Sequence, residues 1–136
     1  MDGLPPGLYR YLPLDHQLVQ EKLDPDLPEQ LNRASLSQNS RSEKRPYYFI
    51  KEAAVVFIWT AVPYRSEWRY HTAAAKLIAL DAGHVCQNLY IAAGSIGAGT
   101  CAVGAYDQVK MDRFLDVDGE EEFVIYMAPV GKIRSE

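Results

Sequence analysis

The sequence predicts an α+β domain, and three observations carry that expectation. Ala53–Val62 and Phe123–Val130 are short, almost uninterrupted apolar runs rich in β-branched and aromatic residues, the pattern of buried strands. Thr72–Ala93 contains no proline and is dominated by alanine, leucine, lysine and glutamine, the composition of a long helix. The chain has 136 residues and 48% hydrophobic content, enough for one core and short for two, so residues 1–136 are read as a single domain.

Taken in order, GLYRYLPLDHQLVQ reads as strand, turn, strand: Leu8–Tyr11, a Pro-Leu-Asp-His turn, then Gln17–Val19. Leu27–Gln38 is a helix with Leu27, Leu31 and Ala34 on one face, and Asn39–Pro46 is a polar loop. Ala53–Val62 follows as a strand expected to be buried on both faces, then PYRSEWRYH as a polar and aromatic connection. The helix at Thr72–Ala93 would span about 33 Å. Leu77, His84, Asn88 and Ile91 share one stripe, and Ile78, Val85, Leu89 and Ala92 the stripe beside it. Apolar positions cover most of the circumference, which predicts a central helix. Gly83 costs that helix about 1 kcal/mol relative to alanine, and the gap it leaves would admit another helix or a ligand. Asp107 is placed to cap a short helix over Gln108–Leu115. VDGEEE is an acidic turn, and the last strand ends at Pro129 or just past it.

The stretch GSIGAGTCAVGAYD, Gly94–Asp107, is the least ordinary. Gly97, Gly99 and Ala102 satisfy the G-x-G-x-x-A dinucleotide fingerprint, but that fingerprint has meaning only after a strand and before a helix. Here a helix precedes it and an apolar strand follows. No Gly-Lys-Ser/Thr completes a phosphate loop. The stretch instead divides into a helix end at Gly94–Gly99, with glycines in left-handed conformations, and a short strand at Thr100–Val103. Gly104 interrupts that strand, which marks either a close approach by a ligand or another backbone, or a simple turn between core elements.

Composition bounds the partners. The net charge of −4 and the scattered cations speak against nucleic acid; the densest group, Arg41, Lys44 and Arg45, reads as a solvated loop. Leu89–Tyr106 is uncharged, but glycines, Ser95 and Thr100 break it up, so it is not read as a membrane span. His16, His71 and His84 match no metal spacing. Two cysteines form no disulfide framework, and MDGLPPGLYRY carries no signal-peptide pattern, so the expected compartment is reducing and cytoplasmic.

DAGHVCQNLYIAAGSIGAGTCAVGAYD, Asp81–Asp107, together with FLDVDGEEEFVIYMAPVGK, Phe114–Lys132, resembles the C-terminal half of the nitroreductase-like flavoproteins. The closer likeness is to the SagB-type dehydrogenase branch, related to the azoline oxidases, and GLYRYLPLDHQL fits that branch as well. The resemblance implies a nitroreductase-like fold, a buried sheet packed on a long central helix, working as an intertwined homodimer around FMN. It implies an oxidoreductase that passes hydride through flavin N5, with NAD(P)H or the substrate itself, a small molecule or a peptide, as donor. Carried over by position, Val103, Gly104 and Ala105 lie against the ring near N5, with Tyr106 close by. Lys132 becomes a ligand of the FMN phosphate, with Arg134 a weaker one; the alternative for both is a solvated chain end.

Arg69 and Tyr70, beside Trp68, fall where azoline oxidases carry a Lys-Tyr pair that assists proton removal. Arginine cannot serve as that base, because its pKa exceeds about 12. Tyr70 would then handle the proton and Arg69 orient substrate; the alternative is a surface arginine beside a packed tyrosine. His84, one turn from Asp81 and within expected hydrogen-bond reach of it, is assigned a structural role, as is Asn88. The family's arginine- and serine-rich phosphate motif is not found before Gly7, so the chain is expected to be the second half of the domain: a split protein with a separate first half, a truncation, or a shortened relative without flavin. A second function class is therefore carried alongside the enzyme, a non-catalytic half-domain that binds a partner chain.

Overall fold

The computed structural model describes residues 3–36 and 49–133. The polar loop at 39–46 and Arg134 lie outside the described residues; the helix expected over Leu27–Gln38 ends earlier, at Ala34, where Ser35 turns to an extended conformation as its cap.

Residues Leu8–Leu12 (β1) and Gln17–Lys22 (β2) pair as an antiparallel hairpin. Its turn is held by the Tyr11 hydroxyl 2.9 Å from His16 Nδ1, with His16 at φ 50°. Leu27–Ala34 (α1) starts behind Asp26 with a proline in its first turn, where the missing N–H is no loss. It buries Leu27, Leu31 and Ala34, the face the sequence predicts.

Val55–Ala61 (β3), Ala98–Thr100 (β4) and Phe123–Lys132 (β5) form one antiparallel sheet in the order β3–β5–β4. β5 is the central strand and is mostly buried. It runs through Pro129, which pairs with Val56, to Lys132, which pairs with Ala98. β3 is an edge strand and not the doubly buried one expected: Phe57 is 42% exposed. Apolar continuity alone does not distinguish a central strand from an edge strand whose outer face stays uncovered.

The connection PYRSEWRYH is a helix, Tyr64–Tyr70 (α2), where a loop was expected. It turns at His71, φ 48°, through a 3-10 turn into Ala74–Ser95 (α3). Gln108–Leu115 (α4) is capped as predicted, with Asp107 Oδ1 accepting from the Lys110 N–H at 3.1 Å.

The core lies on one side of the sheet. Leu31, Ala34, Ile50, Val103, Met111, Val124 and Met127 form the buried cluster between α1, α4 and β5. The Asp107 N–H donates to Ala34 O at 2.8 Å and ties the end of α1 to the start of α4. α3 packs against β4 and β5 and buries only Ala74, Cys86 and Ala93.

Candidate functional site

The glycine stretch resolves into four parts. α3 continues through Gly94 and ends at Ile96; Gly97 takes the left-handed conformation, φ 70°, that redirects the chain. β4 occupies Ala98–Thr100, two residues earlier than the strand expected at Thr100–Val103. The chain then leaves the sheet at Cys101 and Ala102 and returns at Val103, which exchanges both backbone hydrogen bonds with Met127, at 2.8 and 3.2 Å.

That single bridge orients its neighbours. Groups of adjacent residues in an extended chain point to opposite sides. The N–H of Ala102 faces away from β5 and donates to the Tyr90 hydroxyl of α3 at 2.7 Å. The Gly104 N–H faces the same open side and has no partner among the described residues. Gly104 and Ala105 are exposed.

Among the described residues nothing requires a glycine at 104. Its φ is not positive, and an added Cβ would meet only Tyr126 Cε2, at 3.9 Å, an ordinary contact. Gly119 differs on both counts: its φ is 80°, and a Cβ would sit 3.2 Å from Asp112 Oδ2. A glycine used for neither conformation nor internal space leaves close approach from outside as its physical use.

The ground behind Gly104 is aromatic. Tyr126 pairs across the strands with Trp59, ring centroids 6.3 Å apart, and Trp59 stacks near Phe57 at 6.4 Å. Burial raises the Tyr126 phenol above its ordinary range, with Cys86, Tyr90 and Cys101 adding to the effect. Burial likewise raises the Cys86 thiol, with Cys101 contributing.

Tyr106 turns inward. It packs on the core cluster, and its hydroxyl donates to Val124 O at 3.1 Å. Burial pushes its phenol pKa up, with the Asp112 carboxylate adding to the shift. Gln108 Nε2 donates to the same Val124 carbonyl and to Asp112, and Asp112 Oδ1 accepts the Val124 N–H at 2.7 Å. This buried set fixes the 103–107 segment against β5.

Lys132 is exposed at the far end of the same strand. Five residues of β5 separate it from Met127, about 17 Å. Beside it a cleft of about 730 Å³ runs between Gly99–Cys101, Pro129–Ile133 and the 52–54 loop.

Arg69 and Tyr70 sit elsewhere. Both are exposed on α2, with the Arg69 guanidinium 5.5 Å from the centre of the Tyr70 ring, a cation–π contact. Sixteen residues of α3, about 24 Å, run from Ala74 to Tyr90, so one chain does not bring this pair to Gly104. His84 is exposed and makes no hydrogen bond to Asp81, against the expectation of a bond one turn apart on a buried stripe. The reason is that no described residue covers that side of α3. Among the described residues no group of three metal-ligating side chains occurs, and no described helix is long and apolar enough to cross a membrane.

Sequence reasoning missed Tyr90, Trp59 and Tyr126. The last two follow from the period of two in each strand once the register is known. Nothing in the local sequence marks Tyr90, because its partner lies twelve residues on, across a turn.

Compared with protein-family models, residues 5–132 match the nitroreductase family. A Methanocaldococcus jannaschii protein described as a candidate nitroreductase is 31% identical over 130 residues, 96% of this chain and 59% of its own length. Among solved structures, a candidate nitroreductase from Anabaena variabilis superposes with a TM-score of 0.82 at 27% identity, over 96% of this chain and 25% of that one. The Escherichia coli microcin synthetase complex McbBCD, with truncated pro-MccB17 bound, contains a chain of like fold: TM-score 0.76, 15% identity, 93% of this chain and 44% of that one. The chain thus spans 59% of the length of the Methanocaldococcus jannaschii relative and a quarter of the Anabaena variabilis chain.

Proposed function

The chain belongs to the nitroreductase family, and from that premise we propose that it forms the flavin-edge half of an FMN-dependent oxidoreductase. Members of the family depend on FMN. The observation that carries the reading to this chain is Gly104, whose N–H has no partner and whose missing side chain has no need among the described residues.

The residues present fit the group. The backbone of Val103–Ala105 would hold the ring edge, with the missing side chain at Gly104 leaving room for it. The aromatic ground of Tyr126 and Trp59 would back it, and Lys132 would hold the phosphate. FMN supplies hydride chemistry at N5, which no protein side chain can provide. The protein's part is to hold the main chain still at that edge. Val103 does so through both bonds to Met127, and Tyr106, Gln108 and Asp112 lock the next four residues.

Within this reading the finer assignment is the SagB-type branch, with NAD(P)H or an organic substrate as hydride donor, and it is supported by the microcin synthetase likeness. Tyr70 is the proton-handling residue and Arg69 its charged neighbour. They reach a flavin only if a second chain brings them there, and Leu80, Val85 and Ile91 of α3, each about half exposed or more, supply an apolar surface for that chain. In this reading the second chain is another copy of the same protein, packed on α3. A separate chain supplying the phosphate motif is the other occupant of this reading, and the compartment is cytoplasmic.

The test is a titration of the purified protein with FMN, followed by quenching of flavin fluorescence. The wild type should bind, and Gly104→Val should lose affinity at least tenfold with an unchanged circular dichroism spectrum. A protein that takes up no FMN favours the partner-binding half-domain; a variant that binds as well as the wild type removes the ring from residue 104.

A further inference from the structure

β3 ends the sheet, and the central strand fixes which of its backbone groups face outward. Met127 of β5 donates its N–H to the Val103 carbonyl at 3.2 Å and accepts the Val103 N–H at 2.8 Å, so both its groups point to the β4 side. Ile58 lies opposite Met127 on the other side. The two form a non-hydrogen-bonded pair, and the N–H and C=O of Ile58 point away from β5. Val56, two residues back, lies opposite Pro129. Pro129 has no N–H to give, and its carbonyl accepts from the Thr100 hydroxyl, on the β4 side, at 2.9 Å. Val56 therefore turns outward as well. No described strand pairs with this edge.

Free edges are ordinarily guarded by a charge, a proline, a bulge or short length. The ladder from Val55 to Trp59 carries no charge and no proline, and its register shifts only past Trp59. A cleft of about 350 Å³ lies between β3 and residues 4–9, and Leu8, Leu27, Ile50, Val56, Ile58 and Phe114 line it. β1, on the far wall, pairs only with β2. An apolar hollow beside a row of free amides and carbonyls suits an extended chain, which pairs with the row and sends every second side chain into the hollow. Length supplies a source for such a chain. About two fifths of the Methanocaldococcus jannaschii relative lies outside the match, whereas 96% of this chain lies inside it.

We propose that the outer edge of β3 is a strand-addition site: an extended segment of a separate polypeptide, apolar at alternate positions, pairs with Val56 and Ile58 and fills the cleft. The residues of that segment that bond β3 are also those whose side chains enter the cleft, because directly opposed residues share a face. This gives a use to an apolar strand that the chain by itself leaves at the edge, with Phe57 42% exposed.

The experiment is NMR-detected hydrogen exchange on the isotope-labelled full chain, alone and with an excess of a synthetic peptide in which valine alternates with threonine between terminal lysines. In the dilute chain alone, the Val56 and Ile58 amides should exchange at least tenfold faster than that of Phe57, which points to β5. With the peptide, both should slow at least tenfold. The same peptide N-methylated on its valines keeps the side chains but loses the donors that meet β3, and it should protect neither. Amides at 56 and 58 that are already protected in the dilute chain would show an edge paired from within and overturn the proposal. Protection that grows with protein concentration in the absence of peptide assigns the edge to a second copy and overturns it too. So does a peptide that protects neither amide, or an N-methylated peptide that protects both. The readout needs no flavin, so a chain that binds no FMN removes the functional reading and leaves this inference standing.

Discussion

The two faces of the β3–β5–β4 sheet answer to different demands. On one face α1 and α4 close over Val103, Val124 and Met127, and Met111 and Met127 are wholly buried. On the other, α3 covers β4 and β5 but leaves Leu80, Val85 and Ile91 at 51%, 47% and 64% exposure. The glycines divide in the same way. Gly119, below the closed face, is required by its backbone angle and by Asp112, while Gly83 on α3 has nothing within 4 Å and no unusual angle. Residues of the closed face are explained by the chain itself. Those of the open face, Gly104 among them, find no such reason among the described residues.

The largest expected effect tests the closed face. Met127→Ala removes a side chain with no exposure, which should lower stability by about 2–5 kcal/mol, the range for large-to-small core substitutions. Ile91→Ala on α3 should change the stability of the isolated chain by less than about 0.5 kcal/mol, as for exposed positions generally. Urea unfolding at low protein concentration measures both. Equal losses would erase the distinction between the faces.

Gly119→Ala comes next. Alanine must adopt φ near 80° with its Cβ 3.2 Å from Asp112 Oδ2, so a loss of about 1–2 kcal/mol is expected for the left-handed backbone alone. The carboxylate cannot give way freely, since it is tied to Gln108 and to the Val124 N–H. Thermal unfolding monitored at 222 nm would show it. A neutral outcome would mean that the acidic turn relaxes independently of α4.

The closed face was also the legible one. The helix face Leu27, Leu31 and Ala34, the Asp107 cap and the last strand follow from local periodicity and capping chemistry, because the residues that satisfy them lie within a few positions of each other. The open face was legible only in outline. All-round apolarity identified α3 as a long helix, yet it could not say which side the sheet would take. β3 reads the same as a central strand until its neighbours are known. α2 escaped notice because Tyr64–Tyr70 buries no residue, so no apolar stripe announces it. For the site, glycine composition marked the stretch and the family resemblance singled out residue 104, whereas Tyr90, Trp59 and Tyr126 depend on strand register and on a contact across a turn.

Gly83→Ala sharpens the comparison with the opposite sign. In a helix interior with free space around it, the substitution should raise stability by about 0.8–1 kcal/mol through propensity alone. That gain holds where the open face is bare. If a second chain packs its backbone against Gly83, the added methyl should weaken association in sedimentation equilibrium even as the isolated chain becomes more stable. A loss of stability in dilute monomer would show that the surroundings of α3 are already filled.

The smallest effect concerns acid. Asp118 Oδ1 accepts the N–H groups of Glu120, Glu121 and Glu122 at 2.8–3.0 Å, closing the turn between α4 and β5. The Glu122 N–H, followed by that of Glu120, holds its carboxyl pKa below the ordinary carboxylate range. A folded-state pKa lower than the unfolded one means that the stabilisation is complete above the unfolded value, about 3.9. It is lost as pH falls through the depressed folded value. Asp118→Asn keeps an acceptor oxygen but removes the titration. The variant should therefore be slightly less stable than the wild type at pH 7 and should lose less stability than the wild type between pH 4 and pH 2. Midpoints of urea unfolding across that range measure the difference. Parallel pH profiles would place the acid sensitivity of the closed face in other carboxylates, with Asp107 the next to test, since the Lys110 N–H lowers its pKa in the same sense.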